Sequence, residues 1–440
     1  MNLLQDIDLL LCPLYIVLLG LLMNWYRKRF VQKELGLLFL KGFYVKMFFS
    51  IAFVLFSAFL VPGDTEMYYT AGIDFKKIVV ENPDNLHFIF GPAKKFGEYY
   101  EAKGYRPENY GYINAASNLT AIKFVALFSI FSFNSYTVIN LFFGTLSFLG
   151  LWYMFMVFYR LYPHLYKLTY RCFFFIPSVL FWGSGILKDT LCICFLGIGF
   201  FCSYIFFIEK KQKGSYLLIG ILSFFFLFTI KSYIAISFIA SFIAWYFFRY
   251  LQSEKSALKK MAIVAIPSVL IIGYMIFGNP TKDILQDATE SMAENMMETQ
   301  KLYTRFTPDD GALLDYGEII PTPAGILKVI PKALVASLFR PFLWEAKKAT
   351  SLIAGLEGTA LFLLTCYVFL RRGPIKPLYI IFTDNTVFFC FLFSIVFAIA
   401  IGLNCFNLGA LVRYKIPCLP FYTVCMTLIL KNKKSRLTPA

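Results

Sequence analysis

The run Met47-Phe-Phe-Ser-Ile-Ala-Phe-Val-Leu-Phe-Ser-Ala-Phe-Leu60 gives way abruptly to Val61-Pro-Gly-Asp64-Thr-Glu66-Met-Tyr68-Tyr69. The first part is most of a membrane helix, which needs about 20 apolar residues. Pro62 and Gly63 end it, because proline cannot continue the hydrogen-bond ladder and glycine permits a turn. Asp64 and Glu66 are thereby delivered at a membrane–water boundary, at the root of a polar segment that runs to about residue 118. A carboxylate held there can accept a proton from a sugar or lipid hydroxyl, or hold a divalent cation such as Mg2+ or Mn2+. The plainer alternative is that Asp64 only caps the helix that follows.

The whole chain supports lipid as its solvent. Of 440 residues, 59% are hydrophobic and 15% charged, where a soluble domain has about a quarter charged. Ten cysteines lie mostly inside apolar runs, without C-x-x-C or zinc-like spacing, and read as buried thiols. Two histidines, His87 and His164, argue against a histidine-rich metal site. Asp6 and Asp8, with no Lys or Arg, precede the first apolar run, the reverse of a signal peptide.

Runs of spanning length occur at 9–25, 42–61, 136–159, 170–187, 190–208, 215–230, 232–250, 261–278, 350–370, 383–403 and 414–430. The expected fold is all-α and polytopic, a single transmembrane domain over 1–440 with about 11 spans. The stretch 121–133 is too short to cross and reads as a helix lying at the surface. Segments 26–46, 160–171, 209–214, 249–260, 371–384 and 431–440 hold 23 bases against four acids. The two large opposite loops, 62–118 and 279–349, hold 14 bases and 18 acids. Positive charge marks the cytoplasmic side, so the net charge of +16 is a topology signal and no nucleic acid is implied. This orientation puts the amino terminus and both large loops outside and the carboxyl terminus inside. Short interfacial helices are expected in those loops, with a Met292, Met296, Met297 stripe in the second.

Polar groups at membrane depth are functional candidates by default. Besides Asp64 and Glu66, four clusters fall at outer helix ends: Ser178 to Asp189, with Lys188 beside Asp189; Lys231, alone between Ile230 and Ser232; Leu338 to Glu345, with Arg340; and Asn407 to Pro417, with Arg413 and Lys415. Each has a plain reading: Lys188 and Asp189 as a local ion pair, Arg340 and Arg413 reaching out to lipid phosphates, Lys231 as a helix-end anchor. Together they suit a phosphate or diphosphate whose tail lies in the bilayer, since Arg offers paired N–H donors and Lys a point charge. Asp189 and Glu345 would orient those bases. Tyr68 and Tyr69 would support the acids.

This pattern resembles the GT-C superfamily of polytopic glycosyltransferases, and within it bacterial proteins similar to dolichyl-phosphate-mannose mannosyltransferases. The match rests on Gly63-Asp64-Thr-Glu66-Met-Tyr-Tyr69, on Asn118 to Phe133 as a juxtamembrane helix, on Pro177 to Asp189 as an outer turn, and on Phe339 to Glu345 and Leu408 to Lys415. The resemblance implies Asp64 as the catalytic acid, a polyprenyl-phosphate or diphosphate sugar donor, a glycan or lipid acceptor, and residence in a bacterial cytoplasmic membrane. The helix at 9–25 is additional to that pattern, and the large carboxyl-terminal soluble domain of several members is not seen, leaving acceptor recognition to the two loops. The competing readings are a polymerase of O-antigen or exopolysaccharide type, which would rely on Arg340 and Arg413 more than on Asp64, a transporter or flippase, and a structural subunit of an envelope assembly complex.

Overall fold

The computed structural model describes residues 3–61, 63–253, 296–301, 313–314, 316–317, 320, 322–346 and 349–431. Among them seven helices are long and apolar enough to cross a membrane, and no strand occurs beyond one isolated bridge, Leu313 to Asn407. Large apolar side chains line their exposed faces, Leu9 at 84% and Leu370 at 83% exposure among them. In water such surfaces would not persist. The protein is a helical, multi-pass membrane protein.

The chain divides into two compact units, residues 1–235 and 236–440. In the first, helices α1 (Asp8–Phe30) and α2 (Gly36–Phe59) pack on α7 (Tyr136–Leu161), the most buried span. Helix α10 (Lys188–Ser203) lies closest to α7. A Cβ on Gly197 would stand 2.0 Å from the Gly150 carbonyl oxygen. Small residues allow this approach, which is how packing binds helices in lipid. Between α2 and α7 runs a helical layer: α3 (Gly63–Glu81), α4 (Ala93–Ala102), α5 (Tyr110–Ile113) and α6 (Ala116–Phe131). Gly63, at φ +54°, makes the left-handed turn between α2 and α3 that a side chain would resist.

Two expectations on spans change. The run 170–187 is broken into α8 (Tyr166–Phe174) and α9 (Pro177–Trp182), because Pro177 can only start a helix and Gly183 and Gly185 follow. The runs 215–230 and 232–250 stand as two helices that meet at Lys231, whose φ −148° and ψ 88° are not helical, and together make α11 (Gly214–Ser253). The run 414–430 yields only a 13-residue helix, and 261–278 lies outside the described residues. The stretch 121–133 falls mostly in α6, where Ala121, Ile122 and Val125 are buried and Leu127, Ile130 and Phe131 are exposed. With the helical segment Pro107–Ile113 it forms a pair bent by 115°, a broken span or a re-entrant loop.

In the second unit α12 (Pro323–Phe339), α13 (Ala349–Arg372), α14 (Ile375–Thr383), α15 (Asn385–Asn404), α16 (Leu408–Tyr414) and α17 (Leu419–Lys431) follow the second half of α11. Helix α15 is central, with α12, α14 and α17 against it. Phe238, Trp245, Phe389, Phe393 and Phe421 interlock edge-to-face and stacked at its heart. Most of the loop 279–349 before α12, including Met292, is outside the described residues.

Candidate functional site

Helix α3 starts directly after the left-handed turn at Gly63, so Asp64 and Glu66 occupy its first turn, where the helix dipole favours negative charge. Both are half-buried. The Asp64 carboxylate accepts the hydroxyl of Tyr112. Tyr112 is in turn anchored through its carbonyl, which accepts from Asn118 Nδ2 at 2.9 Å. The other end of that amide, Asn118 Oδ1, accepts from Lys188 Nζ at 2.7 Å and from the Tyr68 hydroxyl at 3.2 Å. Lys188 also donates to Ser117 Oγ at 3.3 Å. Hydrogen bonds at the two ends of Tyr112, its hydroxyl and its carbonyl, thus link the acid on α3 to the base on α10 by way of Asn118. Lys188 stands within electrostatic reach of Asp64, Asp189 and Lys231.

The plain reading of Lys188 and Asp189 as a local ion pair is replaced by another pairing. Neighbouring helix residues point in different directions, and Asp189, 1% exposed, takes Lys231, 8% exposed, as its partner. Lys231 was expected alone at a helix end. It sits instead at the break in α11, buried and bridged to the first turn of α10. Burying an uncompensated charge is costly, and Asp189 compensates Lys231.

The remaining candidates divide between the units. Glu66 is within electrostatic reach of Tyr136. Tyr68 belongs to the site through Asn118, whereas Tyr69 turns away and donates to the Asn134 carbonyl at 2.7 Å. Burial and the nearby Asp8 push the Tyr69 hydroxyl up to about 12, keeping it a donor. In the second unit Arg340 is held by both Glu345 oxygens, at 2.9 and 3.1 Å from its Nε. Lys415, 1% exposed, donates to the Arg340 carbonyl at 2.9 Å and lies within electrostatic reach of Glu357. Arg413 stands over the Tyr414 ring at 5.2 Å. Arg340 and Lys415 therefore share one polar cluster of the second unit. Asp64, Lys188, Asp189 and Lys231 share one in the first.

Sequence reasoning missed Tyr112, Asn118 and Lys46. Asn118 gives a weak signal, a polar residue opening an apolar helix. Lys46 was counted among the surface bases of segment 26–46, yet it is fully buried, with Nζ 3.0 Å from the Val179 carbonyl oxygen. Among the described residues no group of three or more His, Cys, Asp or Glu side chains could hold a metal ion. Asp64 and Glu66 supply two carboxylates, the number that holds Mg2+ together with waters and substrate phosphate, but two positions apart on one helix they do not face each other. Comparison of the chain with protein-family models, curated proteins and solved structures found no match.

Proposed function

We propose that this protein is a membrane glycosyltransferase of GT-C type, transferring a sugar from a polyprenyl-phosphate or diphosphate donor to a lipid-linked glycan or similar acceptor. The observation that carries the reading is the linked placement of Asp64 and Lys188, a half-buried acid and base joined through Tyr112 and Asn118. An acid and a base held within electrostatic reach of one another suit a reaction that needs both at once.

In this reading the acceptor oxygen attacks the anomeric carbon and gives its proton to the Asp64 carboxylate. The bond from that carbon to the phosphate oxygen breaks, and its electron pair leaves with the polyprenyl phosphate. Lys188 donates to that phosphate, and Lys231, neutralised in part by Asp189, sets the field around it. Tyr112 orients Asp64. The charge asymmetry of the loops supports an extracytoplasmic site in a bacterial cytoplasmic membrane, with the amino terminus outside. No step is routed through a metal ion.

The test is release of polyprenyl phosphate from a polyprenyl-phosphate sugar by the purified protein with acceptor glycan. Asp64→Asn should lower the rate about 10²–10⁴-fold, the usual contribution of a general base. Lys188→Met should weaken donor binding about tenfold or more, as loss of a charge-assisted hydrogen bond does. Full activity in Asp64→Asn, with loss in Arg340→Ala and Arg413→Ala, would move the assignment to the polymerase reading.

A second reading draws on the break in α11. Interrupted helices with a buried ion pair are where transporters place their substrate sites. Lipid-phosphate binding without sugar release, together with flipping in vesicles, would select it.

A further inference from the structure

The turn that presents Lys188 and Asp189 is irregular backbone in a buried setting. Helix α9 ends at Trp182, and residues 183–187 are not helical before α10 begins. Ser184, Gly185, Ile186 and Leu187 are all buried. Such backbone is tolerated in a membrane protein only where other groups satisfy it, because an orphaned N–H or C=O has no water to turn to. Three side chains from two neighbouring spans meet that need. Lys46 of α2 donates to the carbonyls of Val179 at 3.0 Å and Leu180 at 3.4 Å. Asn140 of α7 donates to the Ser184 carbonyl at 3.0 Å and accepts from the Ile186 amide at 3.0 Å. The second hydrogen of that amide group reaches the Ser50 carbonyl at 3.0 Å, and Ser50 Oγ donates to the Ser184 carbonyl at 3.4 Å.

All three side chains are fully buried. The turn is also shaped to receive them: a Cβ on Gly183 would lie 3.0 Å from Lys46 Nζ, and one on Gly185 would lie 2.3 Å from the Phe53 ring. At its far end Thr190 Oγ1 closes the turn on the Gly185 carbonyl at 2.7 Å. Lys188 and Asp189 sit between these anchors.

We propose that Lys46, Ser50 and Asn140 are positioning residues, a polar clamp that fixes the 183–187 turn and through it the placement of Lys188 and Asp189. This rests on the reading of Lys188 as a phosphate ligand. A lysine serves here as a cluster of donors aimed at carbonyls. Its role is to set where a second lysine stands.

The experiment measures two quantities on the full-length protein in detergent: hydrogen exchange of the Ile186 amide, and affinity for a polyprenyl phosphate. Asn140→Ala should speed Ile186 exchange and weaken binding about tenfold. Lys188→Met should weaken binding at least as much while leaving Ile186 exchange unchanged. The double variant should bind no more weakly than Lys188→Met alone, since both act through one contact. Should Asn140→Ala fail to fold, Lys46→Gln and Ser50→Ala carry the same comparison. Normal affinity in the clamp variants alongside weak binding by Lys188→Met overturns the clamp and spares the phosphate reading. Normal affinity in Lys188→Met overturns both.

Discussion

Two acid–base pairs, one in each unit, look alike in composition and differ in everything else. Arg340 and Glu345 are five residues apart, bridge across a short turn, and keep 29% and 22% of their side chains exposed. Lys231 and Asp189 are 42 residues apart, join a break in one helix to the start of another, and keep 8% and 1%. The first pair is local and partly solvated, so it orders a turn. The second is buried, so the packing of α10 against α11 depends on it. Burial decides in which pair a lone partner cannot be left behind.

The sharpest way to break that comparison is to remove one partner from each pair. Asp189→Ala strands Lys231 in the interior and should lower stability by about 3–5 kcal/mol, read as a drop in thermal midpoint in detergent. Adding Lys231→Met should recover most of it, because the stranded charge is then gone. Glu345→Ala should cost at most about 1 kcal/mol, the range of partly exposed pairs. It leaves the bond from Lys415 to the Arg340 carbonyl in place. Equal losses for Asp189→Ala and Glu345→Ala would erase the distinction drawn here.

A separate effect concerns pH. The folded Tyr69 hydroxyl, raised to about 12 by burial and Asp8, exceeds the value near 10 of an unfolded tyrosine. Its neutral form is therefore favoured by folding. That contribution is complete below about pH 10 and is lost as pH rises toward 12. Tyr69→Phe should flatten the alkaline fall in stability over that window, and an unchanged slope would show that Tyr69 does not feel its burial.

The same contrast explains what could be read from the chain beforehand. Hydropathy marks α1, α2, α7, α10, α13 and α15, because lipid exposure demands unbroken apolar runs. The role of Glu345 was legible in part, since the sequence puts it in one cluster with Arg340 as an acid that orients a base. Lys231 looked solitary because its partner is distant in sequence and was assigned to a neighbour, Lys188. Lys46 looked like a surface base because a lysine near a helix start usually is one. Its acceptors are carbonyls of α9, more than a hundred residues away, and no local pattern announces a backbone acceptor. The bend before α6 was hidden for a similar reason: hydropathy measures length and apolarity, and says nothing of where a chain turns back.

The central claim is that Lys188 and the residues around it receive a lipid-linked phosphate. A polyprenyl phosphate carrying a photoreactive group next to its phosphate tests this directly, with labelled peptides identified by mass spectrometry. Labelling should concentrate in peptides containing Tyr112 to Asn118 and Gly183 to Lys188, and should weaken in Lys188→Met. Labelling confined to peptides of the second unit, unaffected by Lys188→Met, would contradict the account.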